Sequence, residues 1–501
     1  MKPIKLIFYI LIGSLLISCA KDDGKIDFTF LQVNDVYEIA PIQGGAYGGM
    51  ARVETVHQDL LKENKNTLLV MAGDFLNPSL LGTLKHNGER IKGKQMVEVM
   101  NAMNFDLVAF GNHEFDLGMS DLQKRLNESD FPWISANVFY KQKDTTSLFY
   151  KERAGEKEFV SDTYIKEFTD EDGTTVKIGF ISVCIPSNPK PYVKYTPVFE
   201  EAQRAYNELK GKVDLVFGLT HLTVSQDKKM LEMLPEIPFI MGGHEHTNMK
   251  IPVGESFVAK ADANAKTAYI HRVSFDINTK KVVVSSELKE INDAVKSAVT
   301  VDAVVAKWQG ILKTKIKEII DNPEKVIYTT IMPLEARDTP IRSVQTNMGE
   351  LLTKAMSFAY DDAVDCALVN GGSIRIDDVL EGAISPIDIF RVLPYGGPIL
   401  KVKMKGSLLK EVLDFGKNAS GTGAYLQHFN VRFESEQWYV SDKRIRSNKT
   451  YTVAFSDYLL KGFDIPFLSV QNSGVLSIYT PLASEKAFDI RKAMILYLES
   501  L

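Results

Sequence analysis

Cysteine is scarce in this sequence, with 3 residues among 501. Cys19 lies near the N-terminus, whereas Cys184 and Cys366 lie far apart within apolar runs. Two such cysteines do not form a disulfide framework, even in an oxidising compartment. We predict that both are buried free thiols. The 45% hydrophobic content is sufficient for two or three domains with apolar cores of their own.

The sequence also lacks an excess of charge of one sign. Its 59 lysine and arginine residues are interspersed with 64 aspartate and glutamate residues, which gives a formal net charge of −5 at pH 7. The sequence therefore lacks the excess of positive charge that would bind a nucleic-acid polymer. A small anionic substrate would have to be captured by local charges or by metal ions. These features leave the oligomeric state open.

The N-terminus has the features of a signal peptide. Two lysines precede the apolar run at residues 6–17, which is too short to span a bilayer. Leu16-Ile17-Ser18-Cys19 resembles the bacterial lipobox, in which cleavage before the cysteine is followed by attachment of a diacylglycerol to its thiol. We expect a signal peptide over residues 1–18 and a lipid anchor at Cys19 that holds the exported chain at the outer membrane, facing the periplasm or the cell surface. The alternative is an ordinary signal peptide with an incidental cysteine.

A repeated arrangement of short apolar runs and amphipathic stretches begins at about residue 26. The runs have the length of strands and occupy residues 28–33, 68–72, 107–110, 178–183, 215–219 and 239–241. Between the first two, residues 49–64 carry apolar side chains at helical spacing. This alternation predicts a layered α/β domain over residues 19–292.

A second domain is predicted over residues 326–501. It is separated from the first by residues 293–325, where apolar side chains at helical intervals predict a helical linker, with the helix around Trp308 as a hinge candidate. Within the second domain we predict a helix at residues 348–359 and a strand at residues 366–369. The pattern alone does not define the fold of this domain.

Five of the six apolar runs are followed directly by potential metal ligands. The segments are Asn34-Asp35, Gly73-Asp74, Gly111-Asn112-His113-Glu114-Phe115-Asp116, Thr220-His221 and Gly242-Gly243-His244-Glu245-His246. Ligands of open α/β sheets bind outside the carboxyl ends of the strands, so these segments should converge. Carboxylates, an amide oxygen and imidazoles suit zinc or manganese, and a bridging carboxylate would hold two ions about 3.5–4 Å apart. We therefore predict two divalent metal ions that activate water for phosphoester hydrolysis without a covalent enzyme intermediate.

Two of these segments, at residues 111–116 and 243–246, resemble motifs of the calcineurin-like metallophosphoesterase superfamily. The likeness is closer to the 5′-nucleotidase family, which includes periplasmic UDP-sugar hydrolase and ecto-5′-nucleotidase, and it runs from about residue 26 to residue 501. The resemblance implies a four-layer α/β sandwich followed by a C-terminal α/β 5′-nucleotidase domain. It further implies one metal bound by Asp35, Asp74 and His246, and another bound by Asp74, Asn112, His221 and His244, with Asp74 as the bridge.

The resemblance also implies a role for His113. Oriented by Asp116, this imidazole would stabilise the transition state or protonate the leaving oxygen. One departure concerns the first metal, because the family usually has a histidine where this chain has Tyr37. A protonated phenol is a poor ligand for zinc or manganese. We therefore expect that site to be completed by water, to bind its ion more weakly, or to favour a harder ion such as iron.

The second domain carries the residues that would bind the substrate. Asn370-Gly371-Gly372-Ser373-Ile374-Arg375 and Arg342 match the family's substrate-contacting segments, and arginine suits phosphate oxygens. By the same resemblance, Tyr425 and Tyr458 would sandwich a nucleobase, and Asp464 would contact the ribose. The family's Gly-Gly-Asp-Gly is here Gly462-Phe463-Asp464-Ile465, which crowds the ribose end.

The sequence favours an exported 5′-nucleotidase that takes a nucleotide or a related small phosphoester as substrate. A 2′,3′-cyclic phosphodiesterase/3′-nucleotidase or a UDP-sugar hydrolase shares every metal motif and is the alternative among enzymes. Outside enzymes, the alternative is a surface nucleotide-binding lipoprotein with an impaired metal site. His113 and Asp116 favour the enzyme, because a protein that only binds nucleotides does not need them.

Overall fold

The structure is a computed structural model that describes residues 23–187 and 190–501. The predicted signal peptide and Cys19 lie outside the described residues. No helix within the described ranges is both long enough and apolar enough to cross a membrane. Cys184 and Cys366 are buried and free, as predicted.

The first domain contains two six-stranded sheets and several short hairpins. Its strands are β1 (Lys25–Val33), β2 (Thr67–Met71), β3 (Lys85–His86), β4 (Glu89–Arg90), β5 (Leu107–Ala109), β6 (Trp133–Ile134), β7 (Val138–Gln142), β8 (Thr145–Ser147), β9 (Tyr150–Arg153), β10 (Glu156–Phe159), β11 (Thr163–Thr169), β12 (Thr175–Ile181), β13 (Val193–Tyr195), β14 (Leu215–Thr220), β15 (Phe239–Gly242), β16 (Met249–Val253), β17 (Ser256–Lys260), β18 (Thr267–Asp276) and β19 (Val282–Glu290). One sheet has the strand order β19-β18-β1-β2-β5-β6 and the other β11-β12-β14-β15-β17-β16.

An aromatic core lies between these two sheets. The ring centroid of Phe217 lies 5.1 Å from that of Phe30 on the opposite sheet and 5.0 Å from that of Phe239 on the neighbouring strand. Edge-to-face and tilted pairs of this kind add about 0.5–1.5 kcal/mol each to the stabilisation gained by burial. The inward faces of both sheets are thereby fixed against each other, with their parallel strands ending at a common edge.

Helices cover the outer faces of both sheets. The helices of this domain and of the connection that follows it are α1 (Met50–Glu63), α2 (Leu80–Thr83), α3 (Lys94–Ala102), α4 (Met119–Glu128), α5 (Val198–Leu209), α6 (Val224–Met233) and α7 (Val299–Lys317). The first sheet packs its buried side chains against α1, α3 and α4, and the second packs against α5 and α6. The domain therefore has four layers, which confirms the predicted four-layer α/β sandwich.

The predicted linker helix is α7, and it packs on the first domain. The indole of Trp308 is buried, and its Nε1 donates a hydrogen bond of 2.8 Å to Glu98 Oε2 on α3. Any rotation of the second domain would therefore act on the connection after Lys317 and before Tyr328, not on α7 itself. The predicted domain boundaries and the hinge remain predictions.

The second domain contains a five-stranded mixed sheet of order β24-β21-β28-β23-β29, a pair β20-β22 and a meander β25-β26-β27. Its strands are β20 (Tyr328–Glu335), β21 (Cys366–Asn370), β22 (Val379–Ile384), β23 (Ile399–Lys405), β24 (Leu426–Phe429), β25 (Val431–Glu434), β26 (Gln437–Val440), β27 (Lys443–Arg444), β28 (Thr450–Ser456) and β29 (Val475–Tyr479). Its helices are α8 (Asp338–Ile341), α9 (Asn347–Phe358), α10 (Pro386–Val392), α11 (Gly406–Asn418) and α12 (Ile490–Glu499). The helix predicted at residues 348–359 is α9, and the strand predicted at residues 366–369 is β21.

Ion pairs join the two domains. Arg391 Nε of α10 lies 3.3 Å from Glu38 Oε1, and Lys266 Nζ lies 3.0 Å from Asp378 Oδ1. Arg391 and Glu38 are both buried, so this pair is shielded from the solvent screening that weakens exposed pairs. These contacts hold the segment after β21 against the carboxyl ends of the first domain's strands.

Candidate active site

Loops that follow strands of both sheets meet at one edge of the first domain. The amide of Asp35 after β1 donates to Gly73 O after β2 (3.0 Å), and the amide of His244 after β15 donates to Asp35 Oδ2 (2.9 Å). Gly243 N bonds to Thr220 O at the end of β14 (2.9 Å). The convergence of the segments predicted from sequence is therefore present in the structure.

The predicted ligands Asp35, Asp74, His221 and His246 face one another in this cluster. His221 Nε2 lies 3.1 Å from Asp74 Oδ2, and His246 Nε2 lies 3.5 Å from Asp35 Oδ1. Ligand atoms of Asp35, Asp74 and His221 all lie within 4.8 Å of one another. The ring of the fifth predicted ligand, His244, has its centroid 5.5 Å from that of His221. Such spacing allows shared coordination of cations.

Unsatisfied polar atoms in this cluster fit bound cations. Asn112 Oδ1 is buried and has no hydrogen-bond partner among the described residues, whereas the buried atoms Asp35 Oδ1 and His221 Nε2 have only ion-pair contacts, with His246, Asp74 and each other. A buried polar atom left without a partner costs about 1–3 kcal/mol, so the amide oxygen of Asn112 needs an explanation. Carboxylate, amide and imidazole donors are ligands of divalent first-row metals, which would satisfy all three atoms.

The backbone at three predicted ligands is strained. Asp35, Asp74 and His244 have φ values of 53°, 57° and 85°, in the left-handed region that residues other than glycine rarely adopt. Such conformations cost about 1–3 kcal/mol each and cluster at functional sites. Close packing adds to the constraint, because a Cβ on Gly111 would lie 2.1 Å from Asp74 Oδ1. The geometry that holds these side chains together therefore destabilises the loops locally.

Glu114 binds two of the ligand loops to each other. Its buried carboxylate accepts hydrogen bonds from the amides of Asp74 (2.9 Å), Phe75 (2.8 Å), Leu76 (3.0 Å) and Gly111 (2.7 Å). Burial and the nearby charge of Asp74 raise the pKa of Glu114 to about 7 against the lowering effect of these bonds. The role of Glu114 is not predicted from sequence, where its place inside the motif at residues 111–116 is the only signal for it.

Carboxylate and imidazole charges offset each other in the cluster. Burial alone would raise the pKa of Asp74, but the charges of His221 and His113 hold it well below its usual range. Burial would lower the pKa of His221, but the charge of Asp74 raises it to about 9. The pKa of His244 is lowered to about 4 by burial and by the charge of His221. A proton on His221 thus balances the carboxylates, whereas His244 is neutral near pH 7. Metal binding would release the proton of His221, because an imidazole binds a metal only in its neutral form.

The predicted catalytic pair is in contact. His113 Nδ1 and Asp116 Oδ2 lie 2.8 Å apart, and Asn77 Nδ2 donates to the same oxygen at 2.8 Å. The pair occupies a short 3₁₀ helix, His113–Asp116, directly after β5. Burial would lower the pKa of His113, but Asp74 and Asp116 raise it to about 10. The imidazole can therefore hold a proton to deliver.

Two carboxylates of the second domain also face this histidine. Ligand atoms of Asp338 and Asp377 lie within 4.8 Å of a ring nitrogen of His113 and of each other. The carbonyl of Asp377 also lies 2.7 Å from His246 Nδ1, so that the second domain orients the ring of a predicted metal ligand. Neither aspartate is predicted from sequence, because their positions depend on how the two domains are arranged.

Two cavities meet at the predicted substrate arginines. A cleft of about 910 Å³ is lined by Asp74, His113 and His246 of the first domain and by Arg342 and Arg375 of the second. A second cavity, of about 520 Å³, is lined by the same two arginines together with Asn370, Tyr458 and Asp464. Five of the six predicted substrate residues therefore line the second cavity, which shares its two arginines with the cleft at the predicted metal ligands.

The second cavity is lined on one side by aromatic residues. Tyr458 donates to Asp464 Oδ1 (3.1 Å) and Asn370 Nδ2 donates to Asp464 Oδ2 (2.7 Å), which fixes the predicted ribose-binding carboxylate. Tyr395, which is not among the residues predicted from sequence, is 63% exposed and lines this cavity, whereas the predicted Tyr425 is not among its lining residues. The Leu-Pro-Tyr-Gly-Gly stretch around Tyr395 was the available signal for an exposed aromatic in a loop.

Tyr37 is buried inside the cluster. Its hydroxyl lies 3.2 Å from His246 Nε2 and 3.4 Å from Asp74 Oδ2, and its side chain is almost inaccessible to solvent. Burial and the charge of Asp74 raise the pKa of the phenol well above its usual value, so the hydroxyl keeps its proton. At this position the phenol is a hydrogen-bonding neighbour of the ligands.

Tyr37→His is expected to tighten binding of the first metal by at least about tenfold, because an imidazole nitrogen would replace a protonated phenol. Tyr37→Phe is the matched control, since it removes only the hydroxyl. Isothermal titration of metal-stripped protein with Mn²⁺ or Zn²⁺, together with elemental analysis, measures the affinities and the stoichiometry. Unchanged affinity in Tyr37→His would show that Tyr37 does not occupy a ligand position.

Comparison with known protein families agrees with this geometry. The model that describes calcineurin-like phosphoesterases matches residues 28–248, and the model that describes the C-terminal domain of 5′-nucleotidases matches residues 326–469. Among curated proteins, the chain is similar to the 5′-nucleotidase of Homo sapiens, with 27% identity over 419 residues that cover 76% of this chain and 68% of the relative.

Solved structures share the fold across both domains. A 5′-nucleotidase precursor from Thermus thermophilus superimposes with a TM-score of 0.67 at 22% identity, covering 95% of this chain and 96% of that one. The sulfate thiohydrolase SoxB from Thermus thermophilus superimposes with a TM-score of 0.60 at 16% identity, with 94% of each chain covered. Since proteins with such different names share it, this architecture alone does not define a substrate.

Proposed function

This chain belongs to the calcineurin-like phosphoesterases that carry a 5′-nucleotidase C-terminal domain, and from that premise we propose that it removes phosphate from nucleotides outside the cytoplasm. The family resemblance and the two-domain α/β fold predicted from sequence are confirmed, as is the prediction of a metal-dependent phosphoric ester hydrolase. The pair of metal ions, the nucleotide substrate and the lipid anchor at Cys19 are parts of the proposal.

One observation carries the choice of substrate. The cleft at the metal cluster and the aromatic cavity of the second domain share Arg342 and Arg375. A nucleotide has its phosphate at one end and a flat base at the other, so its phosphate would reach the cluster while its base lies near Tyr458. The arginine guanidinium groups between the two cavities suit the anionic phosphate.

The residues of the site divide the chemistry among them. Asp35, Asp74, Asn112, His221, His244 and His246 would hold two divalent ions, whose Lewis acidity activates water and the phosphate when they are bound. Arg375 orients the phosphate for in-line attack, and protonated His113, held by Asp116, donates its proton to the leaving ester oxygen. Export would place this reaction where extracellular nucleotides are found, and the nucleoside product carries no phosphate charge.

Hydrolysis of AMP to adenosine and phosphate is expected to depend on added divalent metal. Its kcat/KM should exceed those for hydrolysis of 2′,3′-cyclic AMP, UDP-glucose and p-nitrophenyl phosphate, with each reaction followed through its own organic product. Metal-stripped full-length chain would be re-supplied in turn with zinc, manganese, cobalt and iron. Tyr458→Ala is expected to weaken AMP turnover by about 1–3 kcal/mol in kcat/KM while p-nitrophenyl phosphate is unaffected, because only the nucleotide carries a base to stack.

Each result of this panel has a distinct meaning. A preference for cyclic AMP or UDP-glucose would replace the 5′-nucleotidase proposal by one of the enzyme alternatives. Nucleotide binding without turnover under any metal would contradict the catalytic proposal. Radiolabelled palmitate incorporation that is lost in Cys19→Ala would support the anchor, and unchanged incorporation would contradict it.

A further inference from the structure

A lysine lies completely buried beneath the metal cluster. Lys260 ends β17 and is 0% exposed, although lysine is among the residues that are almost never fully buried unless they are paired. Its ammonium group has three hydrogens to donate. It is surrounded by two backbone carbonyls and two carboxylates, from Leu222, Gly243, Asp227 and Glu245.

The carbonyl partners belong to the two loops that carry predicted metal ligands. Lys260 Nζ donates to Leu222 O (2.6 Å), next to His221, and to Gly243 O (2.7 Å), next to His244. It also donates to Glu245 Oε2, while Glu245 Oε1 accepts from the amide of Val224 (2.6 Å). One ammonium group therefore connects the loop after β14 to the loop after β15.

The buried charge of the lysine is balanced locally. Asp227 Oδ2 lies 2.8 Å from Lys260 Nζ, and its other oxygen accepts from the hydroxyl of Thr220 (2.6 Å), the residue before His221. Asp227 is fully buried, so its charge needs a cation close by. The network as a whole contacts the residues on both sides of His221 and the residues on both sides of His244.

We propose that Lys260 is a positioning residue of the metal centre, which sets the distance between the imidazoles of His221 and His244 by fastening their loops together. The inference rests on the proposed metal centre, because these two histidines are two of the four predicted ligands of the second ion. An outer network of this kind fixes ligand orientation without touching the metal. Its loss should alter how the ion is held while leaving substrate contacts in the second domain intact.

The test compares the wild-type chain with the double variant Lys260→Met/Asp227→Asn. The double variant removes the two fully buried charges together, and asparagine keeps an acceptor for Thr220. Glu245 loses the lysine, but its carboxylate is partly exposed to solvent and keeps the hydrogen bond from the amide of Val224. We expect it to bind one of its two Co²⁺ ions about 10–100-fold more weakly. The visible absorption bands of Co²⁺-loaded protein should shift, and kcat for p-nitrophenyl phosphate should fall more than KM changes.

A lysine elsewhere in the same domain provides the matched control. Lys151 on β9 is also buried and donates to the carbonyl of Phe131, which is on none of the ligand loops. Lys151→Met is expected to lower the melting temperature without changing the Co²⁺ spectrum or affinity. The same pattern in the double variant, with stability lost and both metal readouts unchanged, would overturn the positioning role alone. Failure of the wild-type chain to bind two ions would overturn the metal centre and this inference together.

Discussion

Replacing His113 by alanine is expected to lower kcat by about 10²–10⁴-fold while the metal content stays that of the wild type. The imidazole lies 2.8 Å from Asp116 and beside the cluster, and it is not one of the predicted ligands. Loss of a proton donor therefore acts on the chemical step and spares the metals. Single-turnover release of phosphate from AMP, with elemental analysis of the same sample, measures both quantities.

A double-variant comparison separates the roles of the pair. If Asp116 acts only by orienting His113, Asp116→Asn should lower kcat by itself, and adding it to His113→Ala should cause little further loss. His86→Ala is the control, because this imidazole packs near Trp308 on a hairpin away from the cluster and should leave kcat unchanged. Full additivity of the two losses would contradict an orienting role and would indicate that Asp116 contributes separately.

A leaving group with a low pKa offers a second check on the same proton transfer. The p-nitrophenolate ion departs without needing protonation, so His113→Ala should reduce its release much less than it reduces phosphate release from AMP. Equal losses with both substrates would mean that His113 stabilises the charge of the transition state, which is the other role that the family resemblance implies.

Much of the cluster of candidate metal ligands could be predicted, because several local features of the sequence indicate the same site. Each ligand segment follows a buried run of strand length, and parallel strands bring such segments to one edge whatever the details of packing. Glycines directly precede Asp74, Asn112 and His244, and the structure shows why, since these turns leave little space for a Cβ. The positions of the strands, the types of ligand residue and the glycines of the turns therefore all predict the same site.

The elements that could not be predicted depend on distant packing. Lys260 is 39 residues beyond His221, and its sequence context is that of an ordinary strand end. Its contacts follow only from the pairing of β14, β15 and β17 in one sheet. Asp338 and Asp377 reach His113 only through the arrangement of the two domains. The choice between Tyr395 and Tyr425 depends on loop conformation, which has no periodic signal in sequence.

Arg375→Met is expected to lower kcat/KM by about 10–150-fold, the equivalent of about 1.5–3 kcal/mol for a hydrogen bond to a charged group. Arg375 lines both cavities, and no carboxylate among the described residues lies within the 4.0 Å of an ion pair with its guanidinium. Arg342, in contrast, is already paired with Asp338 at 2.8 Å. The unpaired guanidinium is therefore the one most available to an incoming phosphate.

The contact that Arg375→Met removes is identified by the substrates whose kcat/KM falls. A phosphate contact predicts comparable losses for AMP and p-nitrophenyl phosphate and weaker competitive inhibition by inorganic phosphate. Arg337→Met is the control, because Arg337 also lines the cleft but its Nε is engaged by Glu335 at 2.9 Å, and we expect less than about a threefold change. A loss confined to AMP would instead assign Arg375 to the nucleoside. In that case the phosphate would have to be held by the metal ions and Arg342, and Asp338 would have to release Arg342 when substrate binds.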